Sequence, residues 1–120
     1  MISGIHALIF SHDADATRAF FRDVLGLRFV DPGGGWLIFA LPPTELGVHP
    51  ADGEYRHELY LMCDDIQSAV RQLRDKGVEF TRSIADEDFG LVTSLRLPGG
   101  SELALYQPKH PTAIGTRPSP

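Results

Sequence analysis

Glu58-Leu59-Tyr60-Leu61-Met62-Cys63-Asp64-Asp65-Ile66 decides how this chain is read, because it repeats the opening, His6-Ala7-Leu8-Ile9-Phe10-Ser11-His12-Asp13. In each, a polar residue able to bind a metal starts a short apolar run, and an acidic residue seven positions later begins a helical pattern. The helix after Asp13 ends in Leu25-Gly26-Leu27, and the one after Asp65 ends in Asp75-Lys76-Gly77-Val78. Further on, Leu41-Pro42-Pro43-Thr44-Glu45-Leu46-Gly47-Val48-His49 is echoed by Leu97-Pro98-Gly99-Gly100-Ser101-Glu102-Leu103-Ala104-Leu105. A repeat of about fifty residues seen twice falls short of a solenoid, which needs about three copies or more. Two copies, each with strands and one helix, predict one pseudo-symmetric domain.

The bulk composition fits. A chain of 120 residues is long enough for one real core. Its 42% hydrophobic and 22% charged residues are ordinary for a globular protein. With a formal net charge of −5 and scattered Lys and Arg, the chain lacks the basic stripe that nucleic-acid binding needs. The single cysteine, Cys63, excludes an internal disulfide and reads as a small buried hydrophobe. No apolar run approaches the ~18 residues of a membrane span, and the first residues lack a signal peptide's pattern. The expectation is a cytoplasmic protein with neither nucleic-acid nor membrane partner.

Alternation predicts a strand over 4–11, with His6, Leu8 and Phe10 on one face. Asp13 is placed to cap a helix over 14–25, whose stripe is Thr17, Phe20, Phe21, Val24 and Leu25, with Gly26 as its stop. Strands are expected at 28–31, 36–41 and 45–49, separated by Gly33-Gly34-Gly35 and Pro42-Pro43. That glycine run precedes no helix and is not a phosphate loop. Residues 50–54 form a polar border between a first module of about 1–52 and a second of about 53–108. There a strand over 57–63 sets Glu58, Tyr60 and Met62 opposite Leu59, Leu61 and Cys63. Asp64 or Asp65 caps a helix whose Ile66, Ala69, Val70 and Leu73 fall at helical spacing, and Gly77 stops it. Strands follow at 78–84, 91–97 and 101–107, with Asp86-Glu87-Asp88 as a solvated loop. Residues 109–120 form a Pro-rich tail, either an extended arm or disordered. The fold class expected is α+β: two βαβββ modules in tandem, each sheet backed by its helix, forming a cup-shaped mixed sheet.

A doubled βαβββ unit with this punctuation resembles the vicinal oxygen chelate superfamily, which includes glyoxalase I, extradiol dioxygenases, fosfomycin-resistance transferases and bleomycin-resistance proteins. The resemblance covers residues 1–108. It is carried by His6 with Asp13, Phe20-Phe21, Leu25-Gly26, Glu58 with Asp65-Ile66, Gly77, Phe89-Gly90 and Leu97-Pro98-Gly99-Gly100. It implies a homodimer, a small-molecule ligand or substrate and, in members that use one, a divalent metal held by the first and last strands of each half. His6 matches the first ligand position and Glu58 the second. The last-strand positions fall on Gly47 and Ala104, which cannot coordinate.

Two readings of the candidate residues follow. In the first, His6, Glu58 and His49 hold Fe, Mn, Ni or Zn with open positions for a substrate's adjacent oxygens. Glu58 or Glu102 then serves as base in a lyase, isomerase or dioxygenase reaction. In the second, His6 and Glu58 bond each other without metal, His49 is a surface histidine, and the cup only binds a ligand, as in bleomycin-resistance proteins. Phe10, Trp36, Tyr60, Met62 and Tyr106 would form an aromatic wall for a ring, or else ordinary inter-sheet packing. Arg96 would grip a carboxylate or phosphate, or else sit solvated at a strand end. His12 and His57 read as structural.

Overall fold

A computed structural model describes residues 6–50, 53 and 56–114. It is an α+β fold built around a mixed sheet, as the sequence predicts. Helix α1 (Ala14–Ala19) starts where Asp13 accepts a bond from the Ala16 amide at 3.1 Å. It runs on into one π-helical turn, Phe20–Val24, in which the Leu25 amide reaches back to the Phe20 carbonyl. The inserted residue of that turn lets the adjacent Phe20 and Phe21 both enter the core, edge to face at 5.6 Å. Gly26, at φ +68°, ends the helix in the left-handed conformation that a Cβ would disfavour.

Helix α2 (Ile66–Asp75) repeats the design. Asp65, rather than Asp64, caps it through the Ser68 amide at 3.1 Å. Its buried Ile66 and Val70 pack with Leu105, against Leu61, Cys63, Ala69 and Leu73. Strands β1 (Phe29–Val30) and β2 (Ile38–Phe39) form a small antiparallel pair in the first half. Strands β3 (Tyr60–Met62), β4 (Ala85–Glu87), β5 (Gly90–Arg96) and β6 (Glu102–Pro108) form a sheet in the order β3-β6-β5-β4. In it β3 runs parallel to β6 and the other pairs are antiparallel.

Several strands expected from alternation do not form. Residues 6–11 and 45–49 belong to no strand, and residues 6–10 are exposed. Residues 4 and 5 lie outside the described residues, as do most of the proposed border at 50–54 and the tail beyond 114. The 78–84 segment touches the sheet through a single Phe80 to Leu95 bridge and flanking backbone bonds. The acidic stretch read as a loop contributes instead to β4, where Asp86 and Glu87 point their charges outward from an edge strand.

One polar knot joins the two halves. The buried Thr17 hydroxyl contacts the Pro98 carbonyl, Ser11 Oγ at 2.8 Å and the Asp13 carbonyl. Gly99, at φ +99°, passes so close to Ser11 Oγ that a Cβ would overlap it. The core beside the knot holds Phe20, Phe21, Val78, Leu95, Leu97 and Leu103, drawn from both halves.

Candidate functional site

In β6, Leu103 and Leu105 are buried toward the helices, so alternation turns Glu102, Ala104 and Tyr106 to the opposite face. The parallel register sets Tyr60 beside Ala104 and Met62 beside Tyr106 on that face. Beyond β3, a cavity of about 400 Å³ opens between this sheet and the residues 8–10 segment. Leu8, Phe10 and Tyr60 supply its apolar wall, and Glu58, Ser101 and Glu102 its polar groups. The size suits a small organic ligand.

Glu58 is held from two sides. Tyr60 Oη donates to Oε2 at 2.7 Å, and Arg56 Nε donates to Oε1 at 2.8 Å. These bonds favour the carboxylate and lower its pKa, with a smaller contribution from nearby His49. The same bond, with partial burial, raises the Tyr60 phenol. Tyr60 meets the Tyr106 ring edge to face at 5.5 Å, and Phe89 and His110 flank Tyr106 at 5.9 and 6.0 Å. Burial, then the charge of Glu45, raises the Tyr106 phenol. Cys63 is half-buried under α2, and desolvation raises its thiol, which suits the packing role read from sequence.

The structure gathers some of the expected site residues and separates others. Phe10, Tyr60, Glu58 and Glu102 share the cavity, joined by His57, which the sequence had suggested was structural. Tyr106 stands behind Tyr60 rather than in the lining, with Met62 beside it in register. Trp36 stands elsewhere, beneath the Arg18 guanidinium at 4.8 Å. Arg96 lines a second hollow with Phe20 and Pro98, where it lies 3.7 Å from Glu79 and donates to the Gly100 carbonyl.

His6, His49 and Glu58 do not converge as a metal set. Among the described residues no group of three or more His, Cys, Asp or Glu side chains could hold an ion. Glu58 has both oxygens engaged, and it is bonded by Tyr60 and Arg56, not by His6 as the metal-free reading had supposed. Gly47 and Ala104 offer no donor atom. These residues do not fit a chelated metal. Sequence reasoning missed Arg56, Ser101 and His110. Arg56 and Tyr60 flank Glu58 at the two-residue spacing that shares a strand face, and that signal was available.

The family model described as the Glyoxalase/Bleomycin resistance protein/Dioxygenase superfamily matches residues 5–105. The chain belongs to this superfamily. Solved structures agree in fold. An antibiotic binding protein, TnmS3 from Streptomyces sp. CB03234, is similar at TM-score 0.66 and 22% identity, over 90% of this chain and 98% of its own. A lactoylglutathione lyase from Agrobacterium tumefaciens gives 0.64 and 18%, over 88% and 94%. A superfamily member from Sphaerobacter thermophilus DSM 20745 gives 0.63 and 24%, over 88% and 98%. No curated protein sequence matches. At these identities the structural likeness speaks for the glyoxalase-type fold alone. Among the described residues no helix is long and apolar enough to cross a membrane.

Proposed function

We propose that this superfamily member is a small-molecule binding protein that holds an aromatic or apolar ligand in the cavity beside β3 without a metal. The observation that carries this reading is the donor set: among the described residues no three His, Cys, Asp or Glu side chains converge, and Gly47 and Ala104 bring no donor atom. The aromatic pair of Phe10 and Tyr60 in the lining supports it, since rings offer a large contact area at small entropic cost. The likeness to an antibiotic binding protein is consistent with such a role.

Tryptophol, a neutral indole alcohol, is a suitable probe. Its addition should shift amide resonances of residues 8–10, 57–60 and 101–104, and Tyr60→Ala should weaken binding by about tenfold. Protein purified without chelator should carry no transition metal. Near one equivalent per chain, lost in Glu58→Ala, would overturn the reading.

In the same proposal two copies associate through the first half. Its Leu8, Phe10, Leu46 and Val48 are 71%, 88%, 83% and 88% exposed, apolar surface that a second copy would cover. Light scattering should give twice the chain mass, and Phe10→Glu should shift it toward the monomer.

A further inference from the structure

We infer that the cavity selects a ligand carrying a cationic amine, with Glu102 as its counter-ion. The inference rests on the binding reading above and adds the charge of the ligand.

Two observations carry it. Glu102 stands directly opposite Arg96 in the β5–β6 ladder, where a cross-strand ion pair would ordinarily form. The Arg96 guanidinium instead lies by Glu79 at 3.7 Å and donates to the Gly100 carbonyl at 3.2 Å. Glu102 is left on the cavity wall with no ion pair or hydrogen bond among the described residues. Second, among the described residues the lining contains two carboxylates and no Lys or Arg, with His57 as its basic side chain. Arg56 already neutralises Glu58, so the uncompensated charge is that of Glu102.

An ammonium fits this arrangement. It has three donors, and its bond to the Glu102 carboxylate is charge-assisted. A planar body attached through a short linker would then lie against Phe10 and Tyr60. An anionic ligand of the same shape would meet the uncompensated Glu102 carboxylate and bind more weakly.

The test compares three isosteric probes on the whole protein by amide chemical-shift titration: tryptamine, tryptophol and indole-3-acetate. Tryptamine should bind about tenfold more tightly than tryptophol, indole-3-acetate most weakly, and added salt should erode the difference. Glu102→Gln should abolish the preference for the amine while leaving tryptophol binding in place, which also shows that the variant is folded. If tryptophol binds as tightly as tryptamine, or Glu102→Gln keeps the preference, the charge inference fails and the aromatic-binding reading stands. If none of the three moves the cavity amides, both fall.

Discussion

Tyr60 donates to Glu58 at 2.7 Å, and each residue fixes the other's protonation state. Ionising the phenol would break this bond and set two negative charges together, so Tyr60 titrates above, and Glu58 below, its ordinary value. The Tyr60 contribution to stability is present below the unfolded tyrosine value of about 10 and is lost as pH rises through the folded value. The Glu58 contribution is present above the unfolded carboxylate value and is lost as pH falls through the lower folded one. Ultraviolet titration of Glu58→Gln should show one phenol ionising at lower pH than in the parent, and Tyr60→Phe should assign that signal. A second test at this scale concerns Gly99. Gly99→Ala would force a positive φ on a side chain and push its Cβ into Ser11 Oγ. A loss of about 1–3 kcal/mol in denaturant unfolding is expected, of which Ser11→Ala recovers only a part, because the φ strain remains.

The elements differ in how firmly they are anchored. Helix α2 has a full cap, a buried stripe and a further tie, since Gln107 Oε1 accepts from the Ile66 amide. Ile66 is wholly buried, so Ile66→Ala should cost about 2–5 kcal/mol, measurable by chemical denaturation. Asp65→Ala should cost about 1 kcal/mol through loss of the cap. The segment after β6 is anchored by polar and ring contacts rather than by burial. The Lys109 amide donates to the Phe89 carbonyl, Lys109 Nζ pairs with Asp86, and the His110 ring lies beside Tyr106. The Ala113 amide then donates to Glu45 Oε2, tying this arm to the first half. Residues 109–114 are therefore an extended arm with defined contacts. Truncation after Pro108 should cost about 1–2 kcal/mol in thermal unfolding and lower the pH at which Tyr106 ionises, because its ring would gain solvent.

At the scale of the whole molecule, the second half carries the large sheet and the first half carries exposed apolar side chains. That asymmetry underlies the expectation of paired copies and a cavity at the sheet's outer strand. Much of this was legible in sequence. Asp13 and Asp65 as caps, Gly26 and Gly77 as stops, and Phe20, Ile66 and Val70 as core follow from local rules: a cap bonds within three residues, and a stripe repeats every turn. The inward face of β6 was legible for the same reason, because Leu103 and Leu105 alternate with polar or small neighbours. Strands were harder, since a run such as residues 6–11 becomes a strand only if a distant partner completes its ladder. An acidic run such as Asp86-Glu87-Asp88 can join an edge whose side chains face water. The site divided along the same line. Sequence alone determined that Gly47 and Ala104 bring no metal donor and that Phe10, Tyr60, Glu58 and Glu102 were candidates, because residue chemistry needs no coordinates. Tertiary structure alone decided that Trp36 and Arg96 turn elsewhere, that Arg56 and Tyr60 occupy Glu58, and that Glu102 stands on the cavity wall without an ion pair among the described residues. The direction of a long side chain is set by its partners in space: for Trp36 that is Arg18, and for Arg96 it is Glu79 together with the Gly100 carbonyl across the turn, none of which the residue type announces.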